Sequence, residues 1–400
     1  MNIYSTILKV VTSNFISAFL SFSVSIILVR AFSPENAGEI ITFYSYLLVF
    51  AAISEFGAGN AYIAIASKNE NKVRLLVYFL CLIAIIAIIS LFLMKYVFVY
   101  NHSLAVFIGG FFYATIRLLL SFFQLSNNYA TYSCINILLN FLRLVSVSYV
   151  GYFINKESSV LWVINAFVLS IILISIVSIY KAKDVLKKQR DTHHIVNSNG
   201  FVLFKITIKY ALINMMAVIM MRGDPILISK FLSFHDVTIY NSANSVAMMI
   251  PLITMAIMSV FLPEIANDKI SFANIIKMQN RLIPFIGLSI FILYFISGNI
   301  MEVIYGKDLS NSSDILFYLI SCYLIGVYFT PFESYLLIRS SSYSLVLRVL
   351  QFFIYLFVFF MSVEKYGLYG LVFAVLFCRV CIWILIFMLS LKLSKRFQDA

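Results

Sequence analysis

Apolar runs of about twenty residues recur along almost the whole 400-residue chain, and they constrain its fold more than any motif does. Twelve such segments are predicted, near 10–31, 40–66, 74–97, 104–125, 133–154, 160–180, 206–230, 238–262, 282–301, 314–338, 345–363 and 368–391. Hydrocarbon offers no water to an unpaired N–H or C=O, so runs of this length read as membrane-spanning helices. Composition agrees: 62% of residues are hydrophobic and only 12% charged, about half the charge of an ordinary soluble domain. Mean hydropathy is +0.98. The expectation is an all-α integral membrane protein of about 12 transmembrane helices, with no room for a soluble catalytic domain.

The predicted connections are short. The longest and most polar runs from Lys181 to about Lys205 and carries Lys183, Lys187, Lys188, Arg190, His193 and His194. It reads as a basic cytoplasmic linker, 181–204, between an N-terminal six-helix lobe, 1–180, and a C-terminal six-helix lobe, 205–400. A weak repeat supports two halves: Leu28-Val-Arg-Ala-Phe-Ser33 aligns with Ile228-Ser-Lys-Phe-Leu-Ser233 at a shift of 200 residues. Equivalent helices of six-span halves point the same way, as in transporters with parallel repeats. The first apolar run, Val10 to Val29, is longer than a typical leader core, so it is read as the first span. Lys and Arg set the orientation. With the N-terminus inside, inside loops carry about three times as many as outside loops, which hold only Arg30, Lys95, Lys156, Lys230, Lys307 and Lys365. Both termini are therefore expected to be cytoplasmic. This asymmetry accounts for the excess of 29 Lys+Arg over 17 Asp+Glu without nucleic acid as a partner.

Ionisable groups at membrane depth are costly and mark cavities or partners. Here they are mainly cations: Arg117, Arg143, Arg222 and Arg379. The acidic groups are Glu55, Asp224 and Glu333. Arg222-Gly-Asp224-Pro225 interrupts the seventh span, and such breaks occur where a helix lines a cavity. A cavity with several arginines suits an anion, because guanidinium binds phosphate in a planar, bidentate way. The four arginines are the expected substrate-binding residues. Asp224, Glu55, Arg30 and Glu333 are the expected gating or coupling residues.

Other chemistry finds little support. No phosphate-binding G-x-x-x-x-G-K-[ST] loop and no H-E-x-x-H zinc motif occurs. The histidines His102, His193, His194 and His235 fall in or beside predicted loops. Cys81, Cys134, Cys322, Cys378 and Cys381 lie in apolar runs, and the C-x-x-C of Cys378 and Cys381 has no second pair to complete a metal site. No cofactor and no enzyme activity is expected; an H+ or Na+ gradient is the candidate energy source.

Several stretches resemble the polysaccharide-export flippases of the multidrug/oligosaccharidyl-lipid/polysaccharide exporter superfamily. They are Arg30-Ala-Phe-Ser-Pro-Glu-Asn-Ala-Gly38, Glu55-Phe-Gly57-Ala-Gly59-Asn60, Asp224-Pro-Ile-Leu-Ile-Ser-Lys-Phe-Leu232, Val237-Thr-Ile-Tyr240-Asn-Ser-Ala243 and Phe261-Leu-Pro263-Glu-Ile265, with Ile304-Tyr-Gly306 and Tyr366-Gly367-Leu-Tyr-Gly370 following. Thr238 departs from the pattern, since many members have Gly there. Chain length, span number and cationic interior look most like an O-antigen flippase. The resemblance implies two six-helix bundles around a central cavity, a MATE-like fold in the bacterial inner membrane. It also implies a substrate, an undecaprenyl-pyrophosphate-linked oligosaccharide of lipopolysaccharide biosynthesis, moved by alternating access. An O-antigen polymerase and a chain-length regulator are the implied companions. A multidrug/cation antiporter of the same superfamily, which predicts cavity acids, and an O-antigen polymerase-type membrane enzyme, which predicts a large catalytic loop, are the rival readings.

Overall fold

The computed structural model of the chain describes residues 3–66, 72–97, 101–153, 159–188, 200–252, 254, 265 and 271–398. Helices α1 (Ile3–Ala31), α2 (Pro34–Glu55), α3 (Ala58–Ala66), α4 (Lys72–Val97), α5 (Ser103–Leu125), α6 (Tyr129–Phe153), α7 (Ser159–Lys188), α8 (Gly200–Arg222) and α9 (Asp224–Phe231) come first. They are followed by α10 (Phe234–Ala247), α11 (Phe272–Asn280), α12 (Ile283–Tyr305), α13 (Ser313–Arg339) and α14 (Ser341–Gln398). No strand occurs among the described residues.

Each of the twelve predicted segments falls mainly on helix wherever it is described. Among the described residues nine stretches are long and apolar enough to cross a membrane, and the bent pair Tyr210–Arg222 with Asp224–Phe231 makes a tenth if counted as one span. The last stretch contains two predicted spans, because α14 breaks at Gly367 (φ 55°, ψ −129°), a conformation open to glycine and strained for residues with a Cβ. The eighth predicted segment begins as α10 and continues beyond the described residues.

By its own contacts the chain divides into two compact units, Met1–Ser229 and Lys230–Ala400. In the first unit α5 is central, packing on α2, α3, α4, α6 and α7, while α1 lies along α6. Small residues allow that packing, as is usual between helices in lipid. A Cβ on Gly109 would come 2.7 Å from Leu47 Cδ1, and one on Gly110 2.5 Å from Phe50 Cδ1. Helix α8 packs on α2 and α3, so the first unit extends past the basic segment expected as a linker. Residues 189–199 of that segment lie outside the described residues.

In the second unit α13 is central, against α10, α11, α12 and α14. Its core gathers Phe272, Phe332, Tyr335, Leu336, Ile382 and Ile386. Phe329 stacks on Trp383 with ring centroids 5.3 Å apart. Helix α12 turns Phe285, Phe291 and Phe295 outward, each more than 60% exposed, as a lipid-facing helix does.

The repeat noted in the sequence has a structural counterpart. Ser33 caps α2 by accepting from the Asn36 N–H at 3.4 Å. Ser233 caps α10 by accepting from the Asp236 N–H at 3.1 Å. The aligned serines thus do the same work 200 residues apart, satisfying a backbone donor that the first helical turn leaves unpaired.

Candidate functional site

Glu55 ends α2, a poor place for an anion beside the helix's own negative end. Its surroundings correct this. The carboxylate accepts from the Gly59 N–H at the start of α3, so it caps the helix that follows the break. Arg117 of α5 sets its Nε 3.0 Å from Glu55 Oε2, with the carboxylate side chain only 4% exposed. That oxygen has no aligned hydrogen bond, so the contact is chiefly Coulombic. Gly59 leaves the necessary space: a Cβ there would lie 2.8 Å from Glu55 Oε1 and 2.7 Å from Ser121 Oγ. The break itself uses Phe56 (φ 47°) and Gly57 (φ 67°) in the left-handed region. One turn on, Asn60 Nδ2 donates to Asn214 Oδ1 of α8 at 3.1 Å.

Arg117, Arg143 and Arg222, predicted from three separate spans, all lie within electrostatic reach of the Tyr113 hydroxyl. Arg117 is paired with Glu55, whereas the other two have no carboxylate within 4.0 Å among the described residues. Arg143 of α6 lays its guanidinium over the Tyr44 ring, 3.6 Å from the centroid, and 5.4 Å from the Phe167 centroid. Such stacking stabilises a cation without neutralising it. Its Nε is buried without a hydrogen-bond partner among the described residues. Beside it lies a small cleft lined by Tyr44, Tyr113, Leu139, Asn140, Arg143, Phe167, Ser170 and Ile171.

Arg222 and Asp224 flank a real break. The helices on either side are bent by 53°. Each side chain suits its own helix end: Arg222 lies in the last turn of α8 and Asp224 in the first turn of α9, the signs that complement the two dipoles. Asp224 is buried at 7% exposure. Arg30 occupies the last turn of α1, where a cation is likewise favoured.

The remaining predicted residues belong to the second unit. Glu333 is ion-paired with Arg348, which also donates to Gln351 Oε1 at 3.3 Å. Arg379 stacks on Tyr323, 4.3 Å from the ring centroid, and hydrogen-bonds Cys322. The Tyr323 hydroxyl in turn donates to Asn244 Oδ1 at 3.2 Å. Each unit thus holds one arginine paired with a glutamate and another stacked on a tyrosine.

Tyr44, Tyr113, Asn140, Ser170 and Arg348 are absent from the sequence-based expectation. Asn136, Asn140 and Arg143 are spaced four and three apart, one polar stripe on an apolar helix, and that period was the available signal for Asn140. Among the described residues no group of His, Cys, Asp and Glu could hold a metal ion.

No family model matches the chain, and no curated protein matches it by sequence. Solved structures do match. The lipid II flippase MurJ, in an inward closed conformation, superposes with a TM-score of 0.74 at 15% identity, over 96% of this chain and 87% of that one. An inward-facing multidrug resistance MATE family transporter of the MOP superfamily gives 0.68 at 14% identity, over 94% of this chain and 96% of that one. An outward-facing one gives 0.65 at 14%, over 98% and 96%. The chain has the MATE and MurJ fold. It is a multi-pass membrane protein, and the likeness at these identities is one of fold alone.

Proposed function

We propose that the protein is a flippase that carries an undecaprenyl-pyrophosphate-linked O-antigen repeat unit from the cytoplasmic to the periplasmic leaflet of the bacterial inner membrane. The observation that carries this reading is the gathering of Arg143 and Arg222, without carboxylate partners among the described residues, around Tyr113 at membrane depth. Guanidinium groups without a carboxylate partner attract oxyanions strongly in a low dielectric. A cationic drug would be repelled there, which weighs against the antiporter reading. The MurJ structure is that of a lipid II flippase by name, which favours a lipid-borne cargo for this fold.

In the proposed cycle the diphosphate is held by Arg143 and Arg222 while the polyprenyl tail stays in lipid. Arg117, engaged with Glu55, keeps the α2–α3 break in shape. Transport proceeds by alternating access, with Arg30, Asp224 and Glu333 as gating or coupling residues and an H+ or Na+ gradient or periplasmic consumption as the drive. An O-antigen polymerase and a chain-length regulator would act on the delivered unit.

The test is deletion of the gene in its host, followed by extraction of lipid-linked oligosaccharides and electrophoresis of surface polysaccharide. The expected result is accumulation of completed units on the lipid carrier with loss of surface polymer, both reversed by the gene. Single units that still reach the surface unpolymerised would reject translocation as the function.

A further inference from the structure

The outer side of α11 and α12 is one continuous face. Arg281 and Leu282, which join the two helices, keep helical dihedral angles (φ −70°, ψ −21° and φ −83°, ψ −18°), so the helical register carries through the junction. Phe272, Ile275, Gln279, Leu293, Ser297 and Met301 are buried on one side. Lys277, Arg281, Phe285, Leu288 and Ile292 follow at steps of four, four, three and four on the other. All five are exposed, Phe285 at 69% and Leu288 at 57%. Charge is confined to one end of this face. Between Phe272 and Met301 the only charged residues are Lys277 and Arg281, and the first acid is Glu302. Neither cation has a carboxylate within 4.0 Å among the described residues. At the far end Lys307 does, with Nζ 3.9 Å from Glu302 Oε1.

Length sets the depth of each residue. Phe272–Tyr305 runs as one stretch of 34 residues, about 51 Å if straight, against about 30 Å of hydrocarbon. The 23 residues of α12 fill that hydrocarbon, at about 34 Å, so α11 stands among the headgroups. From Arg281 to Ile292 the helix then descends about 16 Å, the depth of one leaflet. Two cations at headgroup level above one leaflet of bare apolar surface match an amphiphile with an anionic head and acyl chains. A soluble acidic peptide would leave Phe285 and Leu288 uncovered. A second copy of the same face would bring the two cation pairs together, because a two-fold contact repeats one patch on both sides.

We propose that this face of the second unit is a docking surface for an anionic glycerophospholipid of the leaflet that holds the two cations. Lys277 and Arg281 meet its phosphate, and Phe285, Leu288 and Ile292 lie along its acyl chains. The surface goes beyond the flippase reading and does not depend on what the protein carries.

The test places an indole on the face and a quencher on the lipid. Phe285→Trp is made in the full-length protein with Trp162→Phe and Trp383→Phe, which removes both native indoles. The protein is reconstituted in phosphatidylcholine nanodiscs that carry, at equal mole fraction, either phosphatidylglycerol or phosphatidylcholine brominated on its acyl chains. Brominated phosphatidylglycerol should quench as though enriched about tenfold beside the indole, the scale expected for two cations on one anionic head. Lys277→Gln with Arg281→Gln should make the two lipids quench equally, and high salt should shrink the preference. Val303→Trp, at the far end of α12, should show no preference in the same background. Equal quenching by the two lipids with both cations present would overturn the surface. So would a preference that survives the double Gln variant, or weak quenching by both lipids, which would mean that a second copy covers the face. Displacement of brominated phosphatidylglycerol by an equimolar amount of undecaprenyl diphosphate would give the face to the cargo and reject a phospholipid.

Discussion

At the scale of single residues, the cations divide by what they touch. The carboxylate that Arg117 meets is almost wholly buried, and Arg117 itself is 34% exposed. Removing one partner of such a pair leaves an uncompensated charge in the interior, whereas removing both does not. Arg117→Met should therefore cost about 1–3 kcal/mol, and Glu55→Gln with Arg117→Met should recover most of it. Thermal unfolding of the purified protein measures both, and an unchanged midpoint for Arg117→Met would show the pair to be dispensable. Arg222 meets no carboxylate among the described residues, so a different loss is expected. Arg222→Gln should insert and fold normally, its charge serving mainly a helix end worth a few tenths of a kcal/mol to about 1. It should nonetheless fail to restore surface polymer to the deletion strain. Normal polymer with this variant would remove Arg222 from the site.

At the scale of helices, the informative positions are the breaks. Gly57 combines a left-handed backbone with contact from α8 so close that a Cβ would lie 2.4 Å from the Ala211 nitrogen. Left-handed backbone costs a residue with a Cβ about 1–2 kcal/mol, and here the neighbour is backbone that cannot turn aside. Gly57→Ala should lower the unfolding midpoint markedly. Gly298→Ala, in α12 with nothing within 4 Å of a new Cβ, should leave it unchanged or slightly raised. Equal effects of the two would mean that the contact with α8 yields freely. The same breaks show how much could be read from the chain. Spans were legible because a helix of twenty apolar residues has few alternatives in lipid. The Arg222–Gly223–Asp224 interruption was legible because Gly and Pro weaken a helix wherever they stand. What Glu55 does was not legible: its partners, Gly59 and Arg117, lie on two other helices, and only packing brings them together. The Tyr44 stack on Arg143 spans α2 and α6 and escapes a linear reading for the same reason. Asn140 shares a helix and a face with Arg143, so its place was recoverable from spacing.

At the scale of the molecule, the fold leaves the sidedness to charge. A helical fold turned upside down keeps its internal contacts, so packing cannot choose between the two orientations. Lys and Arg can, because cationic loops resist translocation. The last turn of α11 and the turn after it carry Lys277 and Arg281, while the turn after α12 carries Lys307, 88% exposed, and Asp308. These two sites lie at opposite ends of α12, so they must face opposite sides of the membrane if α12 crosses it. With the native cysteines replaced, Lys307→Cys should react with a membrane-impermeant maleimide in spheroplasts. Lys277→Cys should react only after permeabilisation. The reverse pattern would invert the topology and place the basic segment 181–204 outside. Reaction of both from one side would mean that α12 does not cross, and the span count would fall with it. Only the expected pattern fits the proposed flippase, which would receive its cargo on the side of the basic loops and release it on the other.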